Sequence, residues 1–383
     1  MRQRRRAVKL VVATNSIARR RLHNQHLVSP TFTDAVEVVR ALGAVQAQDY
    51  AGAKWAIAQR TKGLTDARIE RAFASGAILR SHVLRPTWHF MLPEDARWML
   101  ELTAPRVRSA MAFYYRYHEL DATVFRKSHA AIERALRDGD HLTRLELSAA
   151  LARAGVVSSE RLIGLLMQAE LDRVIISGPR RGKQFTYALF DERVAATPAV
   201  DRDEALHDLT RRYFATRGPA TVHDFAWWSG LTVADAKRGV ESAASFLERE
   251  TRDGDGHWHV PLPRTPRSKR VAHLLPNFDE YFVGFRDRSA IADRLRGVLA
   301  DRRVDALMGH VVCVDGQIVG GWRRTLGKTA EVELRLFVRL TTPEHRLVRA
   351  AVERFGRFLQ LPLRVLAAPT RPAKNSGPAP VSD

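Results

Sequence analysis

Gln46 and Gln48, separated by one alanine and followed by Asp49 and Tyr50, are the residues whose types and spacing best suit chemistry. In an extended segment alternate side chains share a face, so Val45 and Ala47 turn inward and Gln46 and Gln48 project together on the other side. Two neighbouring carboxamides offer donors and acceptors without charge. That suits a site holding a water molecule against a cationic substrate. Paired glutamines near a helix end also cap carbonyls or sit in solvent, so spacing alone leaves both roles open. Asp49 either supplies negative charge there or caps the helix that follows.

Other chemistries find little support. The single cysteine, Cys313, excludes an intramolecular disulfide and a multi-cysteine zinc site, and its apolar neighbours make it a core residue. His257-Trp258-His259 follows a turn and reads as exposed strand rather than a chelate. The chain has no phosphate-cradling glycine loop and no Gly-x-Ser-x-Gly elbow. Neither a metal nor a cofactor is expected.

The glutamine segment must be positioned by what flanks it. Val36, Val39 and Leu42 recur at helical spacing over Thr33–Leu42, with Thr33 as N-cap and Gly43 as stop. Helices near Ile17–His26, Ala53–Arg60 and Asp66–Ser75 surround it, and an alternating strand at 77–83 turns at Leu84-Arg85-Pro86 and returns over Thr87–Leu92. Arg85, Thr87 and His89 alternate along this hairpin and share a face. They line the cleft of the glutamines or hydrogen-bond within the hairpin.

Helices followed by a strand pair form a winged helix, and the pattern recurs. The expected fold is α+β and helix-rich, with three tandem winged-helix units and a small β-rich, partial-barrel C-terminal domain. The boundaries read as a basic disordered arm (1–13), winged helices at 14–118, 119–200 and 201–262, a Pro- and Arg-rich linker (263–270), the β-rich domain (271–367) and a disordered tail (368–383). The second hairpin turns through Arg180, Arg181 and Lys183, charges that either meet a phosphate backbone or keep the turn solvated. Trp322, Arg323 and Arg324 follow an Asp-Gly hairpin; the tryptophan stacks on DNA beside the arginines or fills the core.

Composition narrows the partner. A chain of 383 residues, 45% hydrophobic, is a multi-domain globular protein, and no apolar run approaches the roughly 18 residues of a membrane span. The formal charge is +20, carried by 53 arginines and nine lysines. Even with the arginine bias discounted for genome composition, a charged polymer is the indicated partner. Cysteine scarcity fits a reducing, cytoplasmic, nucleoid-associated setting. Internal repeats that differ from one another favour a self-sufficient monomer.

Val45-Gln46-Ala47-Gln48-Asp49, Ala56–Arg60, Arg85-Pro86-Thr87-Trp88-His89, Leu274–Tyr281 and Asp315–Arg324 together resemble the AlkZ-like winged-helix DNA glycosylases, from about Ile17 to about Ala367. The resemblance implies that the glutamine–apolar–glutamine motif carries base excision from double-stranded DNA containing alkylated purines. An N7-alkylated guanine is already cationic and leaves neutral, so the site must stabilise the sugar cation and deliver water. Glutamine rather than aspartate at position 48 matches the branch associated with self-resistance to DNA-damaging antibiotics, including crosslinking agents. The absence of a lysine placed for Schiff-base chemistry implies a monofunctional enzyme. The competing reading is a non-enzymatic winged-helix DNA-binding protein or transcriptional regulator.

Overall fold

A computed structural model describes residues 17–156, 160–252, 254–261, 269–298 and 309–366. The basic arm, the tail and most of the linker lie outside these residues.

The chain opens with α1 (17–24), α2 (Ala35–Leu42), β1 (Val45–Gln46), α3 (Tyr50–Ala58) and α4 (Asp66–Ser75), then β2 (Leu79–His82) and β3 (Trp88–Met91). Asp34, not Thr33, is the N-cap of α2: its side chain accepts from the Glu37 N–H, while the Thr33 N–H donates back to the Glu37 carboxylate. The three strands form one antiparallel sheet in the order β1-β3-β2.

The long helix α5 (Pro93–Tyr117) leads to a second group, α6 (Ala122–Leu136), β4 (Leu142–Thr143), α7 (Arg144–Arg153), α8 (Leu162–Leu171), β5 (Ile175–Ser177) and β6 (Thr186–Leu189). Its sheet order, β4-β6-β5, matches that of the first. Thr143 and Glu146 form a capping box at the start of α7. After α9 (Phe190–Arg193), a third group comprises α10 (Arg202–Arg217), α11 (Val222–Ser229), α12 (Val233–Ser242) and the hairpin β7 (Glu248–Arg252) and β8 (Asp255–His259).

The last part is a five-stranded sheet that does not close into a barrel. Its order is β13 (Leu363–Leu366), β12 (Ala330–Leu336), β11 (Gln317–Leu326), β10 (Val311–Val314), β9 (Ala272–Leu275). Asp315 and Gly316 turn β10 into β11 with φ of 48° and 85°, the left-handed pair a tight hairpin requires. The short α13 (Glu280–Val283) and the long amphipathic α14 (Thr342–Leu359) complete the described fold. Helix α14 crosses over to make β13 parallel to β12 and covers one sheet face, which leaves both sheet edges open instead of joined.

This sheet shares a core with the first group. Val38, Val39, Trp55 and Phe73 pack into one cluster with Leu274, Trp322, Phe355 and Phe358. The Trp55 ring meets those of Phe355 and Phe358, and its N–H donates to the Leu274 carbonyl at 2.6 Å. Two ion pairs with no solvent exposure reinforce the junction: Arg60 with Asp279 and Arg217 with Glu280. Asp279 and Glu280 thus tie the C-terminal sheet to the helical groups, and the Tyr281 hydroxyl donates to the Ala18 carbonyl of α1 at 3.0 Å. No helix among the described residues is long and apolar enough to cross a membrane.

Candidate active site

The centre of the site is an edge strand two residues long. Val45 and Ala47 are buried in the shared core, and the Gln46 and Gln48 side chains leave by the other face. The Ala47 N–H donates to the Trp88 carbonyl at 2.7 Å, which makes the neighbouring Gln46–His89 pair the non-hydrogen-bonded kind. Such pairs bring opposed side chains closest, with Cα atoms about 4.5 Å apart. The outward N–H of Gln46 is met by Glu280 Oε1 at 2.8 Å.

Glu280 is fully buried, and its second oxygen accepts from Arg217 at 2.6 Å and from the Trp228 indole at 2.9 Å. Arg217 also donates to the carbonyls of Leu42, at 2.9 Å, and Ala44, at 3.4 Å. The turn from α2 into β1, where Gly43 takes a φ of 77°, is therefore held from the third helical group and from α13 together.

Around the Gln46 amide, the hairpin supplies a polar cluster. Arg85 Nη2 donates to Gln46 Oε1 at 2.8 Å. His89 Nδ1 lies 2.9 Å from the Thr87 carbonyl, which can only accept, so Nδ1 carries the proton and Nε2 presents a lone pair. Burial, followed by the Arg85 charge, holds the His89 imidazole well below its usual range and so neutral. Arg85 Nε, Thr87 Oγ1 and His89 Nε2 are buried with no hydrogen-bond partner in the protein. Unmet buried polar atoms are costly, and these three lie on the hairpin that pairs with the glutamine strand. Arg85 and His89 thus lie beside Gln46, while Thr87 shares the turn with Arg85 rather than a strand.

Gln48 is exposed, and its carbonyl lies 3.4 Å from the Trp88 N–H. Asp49 caps α3 by accepting from the Gly52 N–H at 2.9 Å, and both its oxygens lie 3.2 Å from Arg324 Nη2. A side chain on Gly52 would collide with that carboxylate, its Cβ falling 2.5 Å from Asp49 Oδ2. His310, which accepts from the Asn277 N–H, is pulled down to about 4 by burial and then by Arg324.

The remaining cations divide by location. Arg180 does not extend from the β5–β6 turn; it lies over the rings of Tyr50 and Phe185 and reaches Glu70 at 3.4 Å. Arg181 bonds Glu146 and the His141 carbonyl, at 2.6 Å each, while Lys183 is exposed. Trp322 is a core residue, only 3% exposed, with its indole on the Leu275 carbonyl and its ring against Phe355, so it offers no face to DNA. Arg323 is exposed, and Arg324 turns back to Asp49. Sequence reasoning missed Arg80, whose guanidinium bonds the Ala47 carbonyl and lies 4.3 Å over the Trp88 ring. It also missed Arg217 and Trp228 as supports, because only the fold brings positions 217, 228 and 280 to the glutamine strand.

Comparison with known proteins identifies the family. Residues 39–358 match the family model described as DNA glycosylase AlkZ-like. A Streptomyces sahachiroi protein, the interstrand DNA cross-link repair glycosylase, is 25% identical over 320 residues, covering 79% of this chain and 85% of the relative. The solved structure of the Streptomyces sahachiroi DNA glycosylase AlkZ superposes with a TM-score of 0.74 at 21% identity, over 92% of this chain and 99% of that one. Extending across most of the folded chain, the family match makes this protein a member of the AlkZ-like DNA glycosylases, enzymes that hydrolyse N-glycosyl bonds.

Proposed function

We propose that the protein is a monofunctional glycosylase that frees N7-alkylated purines from double-stranded DNA, with Gln46 and Gln48 placing the attacking water. The reading is supported chiefly by one observation: Gln46, fixed by Arg85 and Glu280, lies beside a neutral His89 whose Nε2 lone pair has no partner. A carbonyl oxygen has two lone pairs, so Gln46 Oε1 can accept from water while Arg85 occupies the other. Gln48 Oε1 and His89 Nε2 are further acceptors for that water and for its transferred proton. The cationic base departs neutral, and the acceptors face the positive charge that develops on the sugar. By analogy with oxyanion-hole groups, a fixed polar partner of this kind is worth about 2.7–4 kcal/mol. Asp49 acts through position in this scheme, since its carboxylate is shared between the α3 cap and Arg324.

Hydrolysis without strand cleavage fits the lysine distribution. Lys54, on the helix after the motif, is held by Asp66 at 2.9 Å and Glu70 at 2.7 Å. The crosslink-repair name of the relative extends the proposed substrates to bulky and crosslinked adducts. The three groups of helices and strands are read as winged helices, divided as the sequence expects, that seat the duplex of a monomeric cytoplasmic enzyme. Arg323 and Lys183 are its peripheral phosphate contacts.

The test is a duplex bearing N7-methylguanine. Wild-type protein leaves alkali-labile abasic sites, and the Gln46→Ala, Gln48→Ala double variant binds the duplex but releases no base. A double variant that keeps the wild-type rate removes the glutamines from the mechanism.

A further inference from the structure

Helix α11 carries two adjacent tryptophans that the helical turn sends in different directions. Trp228 is buried with its indole on Glu280, whereas Trp227 is 44% exposed, the only exposed tryptophan of the seven in the chain. Tryptophan is among the more buried residue types, so an indole kept in solvent calls for a reason. The place is fixed tightly. Gly230 ends α11 so close to the hairpin turn that a Cβ there would fall 2.1 Å from the Leu84 carbonyl oxygen.

The surroundings of Trp227 are cationic. Arg85, the residue bonded to Gln46, has its guanidinium 5.9 Å from the Trp227 ring centre, and Nη1 is 3.5 Å from the Trp227 carbonyl. Arg288 lies 5.8 Å from the same ring, and Arg106 reaches the Gly230 carbonyl at 3.4 Å. One turn before Trp227 on α11, His223 is exposed too, and the following Asp224 accepts from the N–H groups of exposed Arg286 and Asp287.

We infer that Trp227 is a stacking shelf for a neutral nucleobase of the bound DNA, at the mouth of the site that holds Gln46. An aromatic face set among guanidiniums pairs base stacking with phosphate attraction, the combination used to grip splayed nucleic acid. The cationic lesion itself is a poor occupant. Arg85 and Arg288 already draw on the negative face of the ring, and their charge repels a second cation. A base next to the lesion, neutral and joined to anionic phosphates, fits both the ring and the rim. The shelf takes its location from the proposed base-release site and rests on that reading for its role.

The experiment measures binding and intrinsic fluorescence on full-length protein with a duplex carrying one N7-methylguanine. Wild-type fluorescence is quenched on binding, and the Trp227→Phe variant loses most of that quench while keeping affinity within a few fold. Trp227→Ala weakens binding by about 5- to 150-fold, the span of one base-stacking contact, with an unchanged melting temperature. Affinity within twofold of wild type for Trp227→Ala, or a full quench in Trp227→Phe, overturns the shelf. So does a lowered melting temperature without an affinity change, which marks a structural residue. If wild-type protein frees no alkylated purine yet the quench still depends on Trp227, the base-release proposal fails and the shelf stands.

Discussion

Glu280 accepts the one outward-facing amide hydrogen of Gln46, at 2.8 Å, from a position 234 residues further along the chain. An edge strand normally leaves such groups to solvent. Here a buried carboxylate shared with Arg217 and Trp228 takes the role, so the orientation of the glutamine depends on three distant elements.

Removing that carboxylate breaks a fully buried ion pair. Glu280→Ala is expected to destabilise the fold by about 3–5 kcal/mol, because Arg217 is left charged and unpaired. Urea unfolding measures this, and a loss below about 1 kcal/mol would mean that the pair is dispensable.

Arg85 fixes the Gln46 carbonyl without being its only neighbour. Arg85→Met is expected to slow base release by about 10- to 100-fold in single-turnover assays, the scale of a small misplacement of a reacting group. Rate retention would show that Glu280 alone orients the amide.

Trp322 and the β5–β6 turn separate core from contact. Trp322→Ala is expected to cost about 3–5 kcal/mol of stability, read in thermal or urea melts, as for other buried tryptophans. Lys183→Ala leaves stability alone and lowers the dependence of log binding on log salt by about one if it meets a phosphate. Arg180→Ala behaves like the core change, since that side chain is stacked on Tyr50 and Phe185.

Acid sensitivity follows from buried imidazoles. Burial carries His273 down to about 3 and His310 to about 4, against 6.5 for a free histidine. The unfolded chain then binds more protons than the folded one between those values. The stability from this source is complete above pH 6.5 and is lost as pH falls towards 4 and below. For fully buried His273 the slope is about 1.4 kcal/mol per pH unit. Melting temperatures across pH 7.5 to 4.5 check the direction; a flat profile contradicts it. Over pH 6 to 8, neutral His89 predicts no loss of single-turnover rate from imidazole protonation.

The glutamine motif, its strand and the helix start at Asp49 were legible because local spacing determines them. Val45 and Ala47 alternate with Gln46 and Gln48, and Asp49 caps as a residue of its type does. The β10–β11 hairpin was legible from its Asp-Gly turn. Trp322 was not, because a tryptophan next to two arginines has the same sequence whether its ring points to DNA or to Phe355. The strand order of the last sheet was not legible for a related reason. Strand order, and the return of β13 through α14 to a parallel partner, depend on contacts far apart in the chain. Arg217, Trp228 and Glu280 form one cluster that no window of sequence contains.

That cluster bears on how the protein is made. A ribosome that has delivered the glutamines has yet to synthesise Glu280, which accepts the Gln46 N–H, Arg217, which holds Glu280, and the sheet that shares the core beneath the motif. A chain interrupted before α13 therefore carries the motif without the carboxylate that orients it, and an inert fragment is the expected product of premature termination.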